Sequence, residues 1–342
     1  MVAGRRPGRR TNIALLVLLV GCFVSGCAAF GVGRAPESRL VTIAHGAAGL
    51  GILVLAPWKT VIARRGLRRP RGHTVGIVFA VALAVSLLAG LAHSTFGRLE
   101  VGTVTALTVH VAAAVAAVPF AVSHVARRRQ RLRPGDVSRR VVLRAAGLGA
   151  VAALAYAAQD AITLVADLPG ARRRETGSYQ VGSGRPAGMP VTQWFTNRVP
   201  RIDLATYRLE VSGSDGRALH LTHGDLVAMD SVVDESAVLD CTGGWWAEQV
   251  WRGVRLATLL GMPQQGSITV HSVTGYTRRF PAEEAAVLLL ATHVGGAPLS
   301  PGHGGPVRLV APGRRGFWWV KWVDQVSVEP SPSWVQPPFP LQ

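Results

Sequence analysis

At 342 residues, 49% of them hydrophobic and only 16% charged, the chain is too apolar for one soluble domain and has room for about two domains. Its net charge of +18 lies almost wholly in the first half, because residues 171–342 carry 16 basic and 14 acidic residues, a net of +2. That distribution excludes a polyanion-binding surface as the cause of the charge, and with it nucleic acid as a partner.

Four apolar stretches open the chain, roughly at 12–31, 40–58, 74–93 and 102–124. Each is near the ~20 residues that a helix needs to cross ~30 Å of hydrocarbon. A fifth apolar run follows Arg144 and reaches about Leu168. Basic residues cluster in alternate loops: Arg5, Arg6, Arg9 and Arg10 at the start; Lys59, Arg64, Arg65, Arg68, Arg69 and Arg71 after the second stretch; Arg127, Arg128, Arg129, Arg131, Arg133, Arg139 and Arg140 after the fourth. Arg34, Glu37, Arg39, Arg98 and Glu100 in the other loops nearly cancel. This is the positive-inside pattern. It predicts a bundle of about five spans in the cytoplasmic membrane, with lipid as its surroundings, an N-terminus in the cytoplasm and a C-terminal half on the extracytoplasmic side.

Five histidines fall in or at the ends of the spans: His45, His73, His93, His110 and His124. Ionisable groups at membrane depth are costly and mark function by default. With entry near Leu40, His45 lies ~8 Å below the outer surface, and His110, entering near 102, lies ~12 Å below it. Neutral imidazoles on two helices at similar depth can supply both axial ligands of a haem iron, so haem b is one cofactor reading and a plain anchor the other. His110 and His124 are 14 residues apart on one face, which resembles the two-haem helices of cytochrome b, with His73 as a partner for His124. The competing reading makes His73, His93 and His124 solvated residues at helix ends. The absence of CxxCH excludes covalent haem attachment. Small-residue boxes ending at Cys22 and Cys27 resemble lipoprotein cleavage sites; the alternative is that they help a helix pack.

Residues 138–147, SRRVVLRAAG, followed by LGAVAALAYAA, resemble a twin-arginine export signal, with Arg139 and Arg140 as the pair. The domain reading is therefore a four-span module at 1–137, a signal and fifth span at 138–168, a Gly/Pro/Arg-rich linker at 169–192 and an α+β domain at 193–342. Strands are predicted at 207–213, 267–273, 306–312 and 320–328, with short helices at 222–229 and 254–261.

Within the last domain Cys241 is a lone thiol in VLDCTGGWWAEQVWRGVRLATLLG. Gly243 and Gly244 allow a loop to fold around a bulky group, and Trp245, Trp246 and Trp251 can build apolar walls around it. The run Cys241-Thr242-Gly243 followed by Trp251-Arg252-Gly253-Val254-Arg255-Leu256-Ala257-Thr258-Leu259-Leu260 resembles the sulfite-oxidase-type molybdopterin oxidoreductases. So does the closing stretch PLSPGHGGPVRLVAPGRRGFWWVKWVDQVSV, and the resemblance covers about 193–330. It implies a molybdopterin-binding domain of sulfite oxidase type, with Cys241 as the molybdenum ligand. It also implies that His303, Arg308 and Lys321 hold the pterin and its phosphate, that Ser272 contacts the pterin, and that Asn197 belongs to the first cofactor contacts. The implied reaction is two-electron oxo-transfer on sulfite or a sulfoxide-type substrate, with electrons exchanged with quinone or another redox protein. No arginine cluster for an anionic substrate stands out: Arg252, Arg255, Arg278 and Arg279 are available, with surface solvation the competing reading for at least half of them. The alternative is a non-catalytic binding or assembly module that keeps the fold.

Overall fold

The computed structural model describes residues 8–67, 73–127, 138–194, 197–213, 216 and 218–339. Arg5, Arg6, Arg68, Arg69, Arg71, Arg128, Arg129, Arg131 and Arg133 lie outside the described residues, as does the side chain of Arg65. The chain forms two compact units, Met1–Tyr179 and Gln180–Gln342.

The first unit is built on α1 (Arg9–Gly31), α2 (Glu37–Leu67), α3 (Thr74–Phe96), α4 (Ala106–Arg127) and α5 (Arg139–Val165). All five are long and apolar enough to cross a membrane. Helix α1 packs against α2, α3 against α4, and α5 against α2. The fourth span starts later than its hydropathy suggests. Residues before Ala106 form a hairpin of β1 (Glu100–Val101) and β2 (Val104–Thr105), turned at Gly102 with φ 61°. His93, read as a candidate for solvation at a helix end, is instead buried at 7% exposure. Its Nε2 lies 3.0 Å from the Gly177 carbonyl, and the Tyr179 hydroxyl donates to the His93 carbonyl at 2.6 Å.

The stretch read as a linker is packed in both of its halves. In the first unit Arg173 donates to the Ser94 carbonyl at 2.5 Å and pairs with Asp160 at 2.6 Å. A Cβ on Gly170 would collide with the Ser94 carbonyl, so this glycine serves close approach rather than slack. A two-residue strand β3 (Tyr179–Gln180) marks the junction. Beyond it Val181 donates to the Trp246 carbonyl at 2.9 Å, Gly184 to that of Glu248 at 3.0 Å, and Met189 is buried.

The second unit holds two sheets. One has the order β5 (Ala218–Leu221), β4 (Leu209–Ser212), β13 (Val323–Glu329), β8 (Ser267–Ser272), β9 (Thr277–Pro281), with β13 and β4 parallel and its other pairs antiparallel. In the other, β7 (Trp245–Arg255) pairs antiparallel with β6 (Val232–Cys241) and β10 (Leu289–Val294), and β10 also pairs with β11 (Ala297–Pro298) and β12 (Arg308–Val310). Two short helices, α6 (His223–Ala228) and α7 (Leu256–Leu260), complete it, α6 being closed by a capping box between Thr222 and Asp225. Strands with helices set at their ends make this an α+β unit. Its core is the apolar face common to both sheets, including Leu209, Trp251, Ile268, Leu290 and Val323.

Candidate functional site

Cys241 is the last residue of β6 and is buried at 8% exposure. The chain reverses at 242–244, with Gly244 at φ 81°, and returns as β7 so that Trp245 faces Cys241 across the ladder. The turn offers the sulfur one donor, the Gly243 N–H, at 3.4 Å. Burial pushes the thiol up, while the Gly243 N–H, Arg315, Thr192 and Lys321 each pull it back toward the thiolate.

A second loop faces it. Pro301–His303 forms a 3-10 turn, Gly304 takes φ 103°, and the chain runs into Arg308 at the head of β12. Arg308 is 3% exposed and donates to the His303 carbonyl at 2.9 Å. Its guanidinium carbon lies 5.5 Å from the Trp251 ring centre and 5.7 Å from that of Trp319, so the motif tryptophan holds this arginine. The buried Nε of Arg308 has no hydrogen-bond partner among the described residues. Lys321 donates to the carbonyls of Thr192 and Gly302 at 2.9 and 2.7 Å, and to Gln193 Oε1 at 3.3 Å. Burial and the neighbouring Arg308 push Lys321 down to about 7, and burial pushes Arg308 down to about 10. Trp322 follows at φ 53°, a costly conformation for a bulky residue. Its N–H to the Gly304 carbonyl (3.1 Å) and its Nε1 to the Pro301 carbonyl (2.7 Å) lock the reversal that presents Lys321.

The structure therefore brings Cys241, His303, Arg308 and Lys321 together from three separate segments. His303 uses both ring nitrogens inside the protein: Nδ1 lies 2.9 Å from Ser300 Oγ and Nε2 lies 3.2 Å from the Met189 carbonyl. Ser272 ends β8 opposite Val323, and the next N–H, that of Val273, donates to the Trp322 carbonyl, so Ser272 borders the same reversal. Asn197 donates its backbone N–H to the Trp194 carbonyl. Its side chain makes no hydrogen bond to the other predicted residues. Phe195 and Thr196 of that segment lie outside the described residues.

Two contributors escaped the sequence reading. Arg315 and Asp240 form a buried ion pair at 2.5 Å, and Arg315 also donates to the Cys241 carbonyl at 3.3 Å. This pair fastens the cysteine-bearing strand end, and a Cβ on Gly316 would sit 3.0 Å from the Cys241 Cα. The sequence carried no signal for the pairing, because its two residues stand 75 positions apart. Thr192 is the other: its Oγ1 accepts from Trp245 Nε1 at 3.1 Å, it bonds to Cys241, and its carbonyl accepts from Lys321. The motif glycine Gly253 has a purely structural role, since a Cβ there would collide with the Leu290 carbonyl across the β7–β10 ladder. Of the arginines considered for an anionic substrate, Arg252, Arg255 and Arg279 are paired with Asp234, Glu235 and Glu329. Arg278 stacks over the Trp318 ring at 4.2 Å.

A buried arginine and a half-buried lysine stand beside a buried thiol, neither cation with a carboxylate partner among the described residues, an arrangement that suits an anion and a metal that takes sulfur. Residues 196–335 match the oxidoreductase molybdopterin binding domain family. A Bacillus subtilis oxidoreductase, YuiH, is 31% identical over 159 residues, which are 42% of this chain and 79% of that protein. The chain belongs to the oxidoreductase molybdopterin-binding family. Other relatives match over stretches of similar length. Human mitochondrial sulfite oxidase is 30% identical over 172 residues, 40% of this chain and 31% of its own. A rice NADH nitrate reductase is 30% identical over 168 residues, 38% of this chain and 18% of its own. The chain thus spans under a third of these two relatives. The sulfane dehydrogenase SoxCD of Paracoccus pantotrophus matches at 25% identity, covering 39% of this chain and 40% of the other, with a TM-score of 0.36. The molybdopterin-binding unit is of the sulfite oxidase type, and the uncompensated Arg308 and Lys321 fit the phosphate of such a cofactor.

In the first unit His45 and His110 stand with ring centres 5.7 Å apart at 85°. His45 Nδ1 lies 3.0 Å from the Cys22 carbonyl, and His110 Nδ1 lies 2.8 Å from the Ser86 carbonyl. Each carbonyl can only accept, so each Nδ1 carries the proton and each Nε2 keeps its lone pair. Neither Nε2 has a hydrogen-bond partner among the described residues. Cys22, read as a lipoprotein-box cysteine or a packing residue, sits inside α1 with its thiol directed at the His45 carbonyl at 3.9 Å.

Proposed function

We propose that the protein is a membrane-anchored, molybdenum-dependent oxidoreductase that performs oxo-transfer outside the cytoplasmic membrane. The observation that carries this reading is the buried Cys241 facing Arg308 and Lys321, two cations left without carboxylates. Cys241 would hold the metal, and Arg308 and Lys321 would hold the phosphate. Ser272 and His303 would border the pterin, with Asn197 near its edge. Trp251 and Trp319 keep water from the guanidinium that anchors it. When bound, the cofactor supplies the two-electron redox chemistry.

The relatives' names suggest small oxyanions such as sulfite, and sulfoxides are the competing substrate class. The carboxylate partners of Arg252, Arg255 and Arg279 favour the uncharged class. Electrons would pass through haem b held by His45 and His110, to or from quinone or a redox protein. Two imidazoles with fixed tautomers and unengaged Nε2 atoms support that reading over plain anchoring. Arg139 and Arg140, exposed in the first turn of α5, would address a domain already folded around its cofactor to the twin-arginine route. The retained thiol argues against a non-catalytic module.

The test is purification from a cofactor-producing host, metal and pterin analysis, and a redox-dye screen of sulfite, sulfoxides and N-oxides. Absence of molybdenum, or full activity in Cys241→Ser, ends the proposal. Absence of a reducible Soret and α band ends its haem part. An active holo-domain still exported by Arg139→Lys/Arg140→Lys ends its twin-arginine part.

A further inference from the structure

The surroundings of His45 and His110 repeat. In the first hairpin, the α1 residue Cys22 accepts His45 Nδ1 on its carbonyl and directs its side chain to the His45 carbonyl at 3.9 Å. In the second, the α3 residue Ser86 accepts His110 Nδ1 on its carbonyl and donates its hydroxyl to the His110 carbonyl at 3.0 Å. Four residues on, a glycine makes room for the ring: a Cβ on Gly26 would lie 3.1 Å from His45, and one on Gly90 would lie 2.7 Å from His110. The first-helix positions are 64 residues apart and the histidines 65. A reciprocal bond, a clearance glycine and a histidine recur together in both hairpins.

The repeat extends to a deeper level and breaks there. Fourteen residues beyond His110 is His124, and 14 before Gly90 is Gly76, whose Cβ would lie 3.3 Å from the His124 ring. In the first hairpin the same steps lead from His45 to Lys59 and from Gly26 to Asn12. There Lys59 Nζ donates to Asn12 Oδ1 at 2.8 Å. An ammonium has no lone pair for iron, and asparagine fills the space that glycine leaves open in the other hairpin.

We propose that α1–α4 are a duplicated histidine hairpin whose two halves form a single haem cradle between His45 and His110, and that the Lys59/His124 level holds no haem. This rests on the haem part of the proposed function and sharpens it. One haem on the side of the α1–α2 and α3–α4 connections leaves no relay to the opposite side. The redox partner must then meet the bundle at the His45/His110 level, from lipid or from the adjoining aqueous face.

The test is the haem-to-polypeptide ratio of the purified full chain, by pyridine haemochrome, with molybdenum content as the control for folding. The expected result is an equimolar ratio, unchanged in His124→Ala and lost in His45→Gly and His110→Gly. Added imidazole should restore the α band to both glycine variants, which separates a lost ligand from a failed fold. A ratio of two haems per chain, loss of haem in His124→Ala, or haem retained by either glycine variant overturns the single-cradle proposal while leaving haem binding standing. A wild-type protein without haem overturns both.

Discussion

Replacing Arg308 by methionine separates what this guanidinium does for the fold from what it does for the cofactor. It is 3% exposed, and burial holds it at about 10. A displacement of that size makes the charged side chain a liability of about 3 kcal/mol at neutral pH in the cofactor-free fold. Opposing this are its charge-assisted bond to the His303 carbonyl, worth ~1.5–3 kcal/mol, and its stacking on Trp251 and Trp319, worth ~0.5–1 kcal/mol each. The two sides nearly cancel, so the cofactor-free variant should stay within about 1 kcal/mol of wild type, or ~3 °C in Tm. Loss of a charge-assisted bond to phosphate, ~1.5–3 kcal/mol, should weaken cofactor retention by ~10–150-fold. The assay is thermal unfolding of the full chain from a host unable to make molybdopterin, beside molybdenum and pterin content after dialysis of protein from a competent host. A cofactor-free variant destabilised by several kcal/mol, with cofactor content unchanged, would show that Arg308 is a core residue and refute the reasoning.

Lys321 gives a pH dependence. Its folded value of about 7 lies below the unfolded ~10.4, so between these the unfolded chain binds a proton that the folded one lacks. Cofactor-free protein should gain stability as pH rises from about 7 to about 10, and Lys321→Gln should flatten that slope in denaturant midpoints measured across pH. Arg315→Met strands the buried Asp240 and should destabilise by ~3–5 kcal/mol, with much of it recovered in Arg315→Met/Asp240→Asn; equal losses in both variants would remove the ion pair from the account. Gly253→Ala should prevent folding of the C-terminal unit, read as loss of soluble expression when that unit's yield is compared with Gly224→Ala, because the collision is with backbone that cannot move aside. Gly304→Ala forces a side chain into φ 103° and against Lys321 at 3.0 Å, and should destabilise by ~1–3 kcal/mol and lower cofactor content.

The sequence by itself determined what composition and local pattern control. Twenty-residue apolar runs can only be helices of spanning length, and all five appear. Alternating runs around Leu209, Ser267, Arg308 and Val323 became strands because side-chain period two needs no tertiary context. Cys241, His303, Arg308 and Lys321 were singled out by a family resemblance carried on two local motifs, and the fold brings these four side chains together. What only the tertiary structure decided were relations between distant segments. The Asp240–Arg315 pair and the Thr192 bridge join residues far apart in sequence, and neither residue type signals its partner. The stretch 169–192 read as a linker because glycine and proline mark turns, whereas Gly170 is needed for close approach to a carbonyl. His93 read as a helix-end residue because hydropathy cannot show that the Gly177 carbonyl covers it. The repeat of the two histidine hairpins was hidden for the same reason. It is carried by backbone carbonyls and by the space at two glycines, which every sequence contains and only packing makes specific.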